Sequence, residues 1–243
     1  MNTKIIAHRG ASDYAPENTM EAFDLAHKMK SDGLELDVRL TKDGQPVVIH
    51  DSSIDRTSDG KGYVEQMTYR ELLMYDFSYK FSEKYKNVKI PLLRDVLCFV
   101  KDTGLILNIE IKFGECRDNG IEQKIVSLVD EFNIAQQIII SSFNHYSLVR
   151  IKNLCPKLVT APLYSCGLYQ PWVYAGLLGA EGIHPAASSI NTDETSLCRK
   201  NGLFVNVWTV NDPQDIKKYA IMGVDAIITN VPDIARTVLN RKD

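Results

Sequence analysis

Three short stretches of the chain carry acids, bases and cations at spacings that let them act together. They are His8-Arg9-Gly10, Glu35-Leu36-Asp37 followed by His50-Asp51, and Asn108-Ile109-Glu110-Ile111-Lys112. Alternate side chains of a strand share a face, so Glu35 with Asp37, and Glu110 with Lys112, project together while Leu36, Ile109 and Ile111 turn away. Grouped carboxylates are costly unless a cation sits among them. Three such groups suit one hard divalent ion, and the ligand types admit Mg2+ or Ca2+ without choosing, with Mn2+ a third candidate. His8 and His50 each close an apolar run. Imidazole, with an ordinary pKa of ~6.5, gives or takes a proton near neutrality, which makes the pair an acid and a base. Arg9 and Lys112 are natural holders of a phosphoryl group, or neutralisers of the acids. The set as a whole reads as metal-assisted cleavage of a phosphodiester.

Other signals carry less. His27, His145 and His184 are read as structural, the ordinary fate of a lone histidine. Ser58-Asp59-Gly60-Lys61-Gly62 lacks the phosphate-loop spacing and reads as a turn. No Gly-x-Ser-x-Gly elbow is present, which argues against an acyl-enzyme. Phe143 and Trp208 end apolar runs, where they either line a pocket or pack a core.

The elements that must position these residues are legible as a repeat. Short apolar strands begin near Lys4, Leu34, Leu105, Gln137, Leu158, Gly182, Leu203 and Asp225, and amphipathic helical stretches separate them, the pattern of parallel βα units. Asn18 is the expected cap of the first helix, with Glu21 completing a capping box and Met20, Phe23, Ala26 and Met29 on its buried face. Further helices are expected at Ile121–Phe132, Asn144–Leu154, Asp212–Met222 and Pro232–Leu239. Eight strands with eight helices predict an α/β fold, a (β/α)8 TIM barrel. Val47–His50 follows Asp43-Gly44 too closely for a helical crossover and is expected to pair antiparallel to strand two.

Residues 51 to about 90 fit no simple βα loop. Seven of the 21 aromatic residues fall between Tyr63 and Tyr85, enough for this insertion after strand two to build a small core of its own. Its place in the order sets it as a cap over the C-terminal mouth of the barrel, where barrel enzymes carry their sites. The expectation is a single domain over residues 1–243 with an inserted cap at about 51–90.

Composition limits the partners. A net charge of −3 and a pI near 6.0 give no basic footprint for nucleic acid or anionic membrane, so phosphate recognition must be local. No apolar run approaches the ~20 residues of a membrane span and no signal-peptide core precedes His8, so no stable membrane insertion is expected and the default location is cytoplasmic. Cys98, Cys116, Cys155, Cys166 and Cys198 are odd in number and widely spaced, which suits neither a disulfide framework nor a thiolate zinc site.

In order and spacing, His8-Arg9-Gly10, Pro16-Glu17-Asn18-Thr19, Glu35-Leu36-Asp37-Val38, Val48-Ile49-His50-Asp51, Asp55-Arg56-Thr57, Asn108 to Lys112, Ser142-Phe143, Val207-Trp208-Thr209-Val210 and Ile228-Thr229-Asn230 resemble the glycerophosphodiester phosphodiesterase family. That family is related to phosphatidylinositol-specific phospholipase C barrels. The resemblance implies that Glu35, Asp37 and Glu110 hold one divalent cation, that His8 and His50 exchange protons, that Arg9 and Lys112 hold phosphate, and that Phe143 and Trp208 flank the glycerol. It implies a small-molecule substrate such as glycerophosphocholine or glycerophosphoethanolamine, cleaved to glycerol 3-phosphate and an alcohol, with the glycerol 2-hydroxyl attacking first to give a cyclic diester. Asn230 stands where the family usually has an acid, and Leu92 replaces a common Thr after Pro91. Two rival readings are a lysophospholipase D-like diesterase and a non-catalytic phosphodiester-binding module.

Overall fold

The computed structural model describes residues 3–78, 81–112 and 119–241, which leaves Tyr79 and Cys116 outside the described residues. Within these, nine strands form one sheet: β1 Lys4–His8, β2 Gly33–Leu40, β3 Pro46–Val48, β4 Ile106–Ile111, β5 Ile138–Ser142, β6 Val159–Tyr164, β7 Gly182–Pro185, β8 Phe204–Val207 and β9 Ala226–Thr229. The order is β1-β9-β8-β7-β6-β5-β4-β2-β3, and an added β1–β2 pairing closes eight of them, all parallel, into a barrel. β3 lies antiparallel against β2, with Val38 opposite Val48. The (β/α)8 expectation holds, and strand starts move by at most a residue or so.

Among the described residues eight helices surround the barrel: α1 Met20–Lys28, α3 Leu93–Thr103, α4 Ile121–Phe132, α5 His145–Leu154, α6 Pro171–Leu178, α7 Thr192–Lys200, α8 Pro213–Met222 and α9 Pro232–Val238. The ninth, α2 Tyr69–Leu72, belongs to the segment after β3. The alternation of β2 and β4 decides what faces what. Leu34, Leu36, Val38, Leu107, Ile109 and Ile111 are buried in the layer between sheet and helices, together with Phe23, Val96, Leu97 and Ile125. Their neighbours Glu35, Asp37, Asn108 and Glu110 point to the opposite face, the barrel interior.

One helix start differs from the expectation. Thr19, not Asn18, caps α1: its hydroxyl accepts from the Ala22 amide at 3.3 Å. Asn18 is displaced from the cap by its own left-handed backbone, φ +58°, a conformation that asparagine tolerates better than most residues. Its side chain is then released for another partner.

The segment after β3 has a core built from both its ends: Ile49, Ile54, Val64, Leu72, Phe77, Val88 and Ile90, with Tyr69, Tyr75 and Tyr85 packed against it. Most of its described aromatics therefore serve packing, and Tyr63 is exposed. The segment reaches back to the loop after β1 at two points, through Arg56 to Glu17 and through Tyr85 to Tyr14.

Candidate active site

The register of three neighbouring strands gathers the acids. His8 is level with Glu35, Glu35 with Asn108, and Asp37 with Glu110. Glu35, Asp37 and Glu110 each offer an oxygen within 4.8 Å of the others, and all three are buried. The Lys112 ammonium reaches into this group, donating to Glu110 Oε1 and lying 3.1 Å from Asp37 Oδ1. Arg9 closes the other side. Its backbone amide donates to Glu35 Oε2 at 3.0 Å, and its guanidinium lies 3.3 Å from Asp37 Oδ2. That turn depends on Gly10, at φ +82°, where a Cβ would come within 2.6 Å of the Ala22 backbone.

Burial and mutual repulsion set the charge of the acids. Burial, then the charges of Asp37 and Glu110, push Glu35 well above the usual carboxylate range. Glu110 is pushed up to about 7 by burial and by Asp37. Asp37 goes the other way: against the cost of its burial, Lys112 and Arg9 hold it well below the ordinary value. Two cations thus face three acids, and Arg9 is shared with Glu17 through a 2.9 Å hydrogen bond. Asp37 Oδ1 is buried without an aligned hydrogen bond. An all-oxygen trio of buried carboxylates, whose mutual repulsion Lys112 and Arg9 relieve only in part, fits a hard divalent cation.

The two imidazoles stand beside the trio. His8 Nδ1 pairs with Asn230 Oδ1 at 2.7 Å, and His50 Nδ1 with Asp51 Oδ1 at 2.7 Å. Since both partners accept, both rings carry Nδ1–H and keep Nε2 available. His8 Nε2 lies 3.9 Å from Glu35 Oε2. Burial, then the charge of Arg9, lowers His8 to about 4, and burial also lowers His50. Asp51 is itself held at about 2; burial opposes this, while Arg56 and His50 favour its charged form.

A cavity of about 100 Å³ brings the set together: His8, Arg9, Glu35, His50, Glu110 and Lys112 line it, and so do Phe143 and Trp208. Asp37, fully buried, lies beneath. Phe143 and Trp208 meet edge to face at 5.5 Å, and Trp208 Nε1 donates to the His184 carbonyl at 2.7 Å. The other histidines sit elsewhere. His27 packs on Phe99, His145 bonds to Tyr174, and His184 is buried beside Asn206. A roomier groove of about 350 Å³ between α3 and α4 contains Arg94, already paired with Glu131, and no histidine.

Sequence reasoning assigned no place in the site to several residues that shape it. Asn18 donates to Asp37 Oδ2 at 2.8 Å. Asn230 orients His8. Asp51, Arg56 and Glu17 form a chain from His50 to Arg9.

Such a barrel, with acids, imidazoles and cations converging at the C-terminal ends of its strands, has the makings of a phosphate-ester enzyme. The glycerophosphoryl diester phosphodiesterase family matches residues 8–234. A glycerophosphodiester phosphodiesterase of Caldanaerobacter subterraneus subsp. tengcongensis is 43% identical over 96% of each chain. One from Bacillus altitudinis is 39% identical, again over 96% of each. Among solved structures, an Oleispira antarctica phosphodiesterase in complex with the product sn-glycerol-3-phosphate superposes with a TM-score of 0.88 at 29% identity, covering 98% of this chain and 96% of that one. The chain belongs to the glycerophosphoryl diester phosphodiesterase family and is an enzyme of the phosphoric diester hydrolase class. Among the described residues no helix is long and apolar enough to cross a membrane.

Proposed function

We propose that the protein hydrolyses glycerophosphodiesters, such as glycerophosphocholine or glycerophosphoethanolamine, to glycerol 3-phosphate and an alcohol, with one divalent cation, Mg2+ or Ca2+ and Mn2+ as a third candidate, held by Glu35, Asp37 and Glu110. The observation that carries this reading is the trio of carboxylates within 4.8 Å of one another beside two imidazoles with available Nε2 atoms. A bound ion would polarise the phosphoryl oxygen and ease deprotonation of a hydroxyl. Arg9 and Lys112 offset charge developing on phosphorus, and one imidazole takes the proton of the attacking hydroxyl while the other returns one to the departing alkoxide. Asn230 and Asp51 fix the two rings so that Nε2 faces the reacting atoms. Phe143 and Trp208 flank the glycerol.

The cavity of about 100 Å³ matches the size of a glycerol phosphate moiety, which supports the glycerophosphodiester reading. Paired proton carriers support catalysis over mere binding. A single domain with residues 51–90 as a cap, and a cytoplasmic location, complete the proposal; of the five cysteines, the four among the described residues are free thiols, which supports the latter. The test uses metal-stripped protein resupplied with Mg2+, Ca2+ or Mn2+ and a panel of deacylated phospholipids, with glycerol 3-phosphate as the readout. Release of glycerol 3-phosphate that needs a divalent ion and is lost in His8→Ala and Glu110→Ala, both folded, is the expected result. Tight binding without turnover under every ion would overturn it.

A further inference from the structure

A second cleft, of about 240 Å³, opens beside the catalytic cavity, and distant parts of the chain form its walls. Ser12 and Glu17 come from the loop after β1, while Arg56, Thr57, Phe77 and Phe81 come from the segment after β3. The walls are clamped to each other. Arg56 donates to both Glu17 oxygens, at 2.7 and 2.8 Å, and to Asp51 Oδ2 at 2.6 Å. The Tyr85 hydroxyl donates to the Tyr14 carbonyl at 3.1 Å, and Phe81 rests edge-on against Tyr85 at 5.7 Å. The cleft adjoins the chemistry, since Glu17 also accepts from Arg9, Ser12 donates to the His8 carbonyl and Asp51 holds His50.

Barrel order gives the cleft a direction. β1 and β2 are neighbours, whereas β8 and β5, which lead to Trp208 and Phe143, each lie two strands further round, on the other side of the mouth. In phosphoryl transfer the attacking and leaving oxygens stand roughly in line across phosphorus. With glycerol against Phe143 and Trp208 and its hydroxyl attacking, the leaving group faces the cleft between Glu17 and Phe81.

We propose that this cleft receives the leaving head group and favours neutral, hydroxyl-rich head groups such as glycerol over ammonium ones. The proposal rests on the phosphodiesterase reading above. Its ground is the charge inventory of the walls. Both Glu17 oxygens accept from arginine, and the Asp51 oxygens accept from Arg56 and His50, so every carboxylate oxygen here is already engaged by a cation or an imidazole. The Arg56 side chain is 47% exposed, and its remaining N–H groups offer donors to a substrate oxygen, with no unengaged carboxylate on these walls to hold an ammonium. The Thr57 hydroxyl is buried without a partner among the described residues. A polyol supplies acceptors for the first, a hydroxyl for the second and a C–H face for Phe77 and Phe81.

The experiment compares kcat/KM for glycerophosphoglycerol and glycerophosphocholine in the metal-loaded wild type, Thr57→Val and Phe81→Ala, with circular dichroism as the check on folding. The wild type should favour glycerophosphoglycerol by about tenfold, the weight of roughly one hydrogen bond, and the ratio should fall toward unity in both variants. Thr57→Val keeps the side-chain shape, so it tests the proposal even if Phe81→Ala does not fold. A wild type that prefers glycerophosphocholine, or a preference intact in folded variants, overturns the subsite. Cleavage of neither diester overturns the phosphodiesterase reading, and the subsite with it.

Discussion

Proton competition at the acid trio gives the sharpest quantitative test. In the metal-free protein Glu110 titrates at about 7, pushed up by burial and by Asp37, yet it must be ionised to coordinate a cation. Binding therefore expels a proton whenever the pH lies below that value, so affinity falls as the pH falls. At about pH 5.5 Glu110 is almost wholly protonated, which weakens the apparent Kd roughly 30-fold relative to about pH 8. Glu35, raised in the same direction, makes the slope steeper. Titration calorimetry of the stripped protein with Mg2+ or Mn2+, across this range and in buffers of different ionisation enthalpy, reads both the affinity and the protons released. Glu110→Gln should remove its share of the pH dependence while weakening the plateau. An affinity flat with pH, or no proton release at about pH 6, would refute the reasoning.

Four further outcomes follow from single contacts. Asn18→Ala removes the amide that holds Asp37 at 2.8 Å, and metal affinity measured by calorimetry should drop by about tenfold or more. Asn230→Asp puts a carboxylate behind the His8 ring, so its protonation midpoint, now lowered to about 4, should rise by at least about one unit in an NMR titration. Gly10→Ala forces a Cβ to 2.6 Å from the Ala22 backbone at φ +82°, and denaturant unfolding should show a loss of about 1–3 kcal/mol or a failure to fold. Leu107→Ala empties a fully buried position between sheet and helices, with an expected loss of roughly 2–5 kcal/mol in the same assay.

The barrel was legible because β2 and β4 alternate so cleanly. Leu34, Leu36, Leu107 and Ile109 announce one face, and the acids between them announce the other. Given that alternation, the convergence of Glu35, Asp37 and Glu110 follows from register alone. What stayed hidden has local or long-range causes. The Asn18-x-x-Glu21 spacing predicts a cap, but the left-handed backbone at Asn18 hands that task to Thr19, and although asparagine tolerates a positive φ, it also caps helices, so residue type does not choose between the two. The chain from His50 through Asp51, Arg56 and Glu17 to Arg9 joins residues up to 39 positions apart, in loops that have no periodicity to read. The cluster of aromatics after β3 predicts a packed core, and most of those described do pack, but it is the fold of the segment that separates Phe81, which lines a cleft, from Tyr75, which packs into the segment's core.

Lys112 sits among the acids with its charge already shared between Asp37 and Glu110. A tethered counter-ion of this kind spares the chain from needing a free one in order to collapse around its most repulsive spot. If the trio takes the proposed cation, folding and ion loading are separate events, unlike in small zinc domains whose structure waits for the metal. On that reading the newly made polypeptide matures first and takes up the proposed ion later, from whichever divalent pool surrounds it.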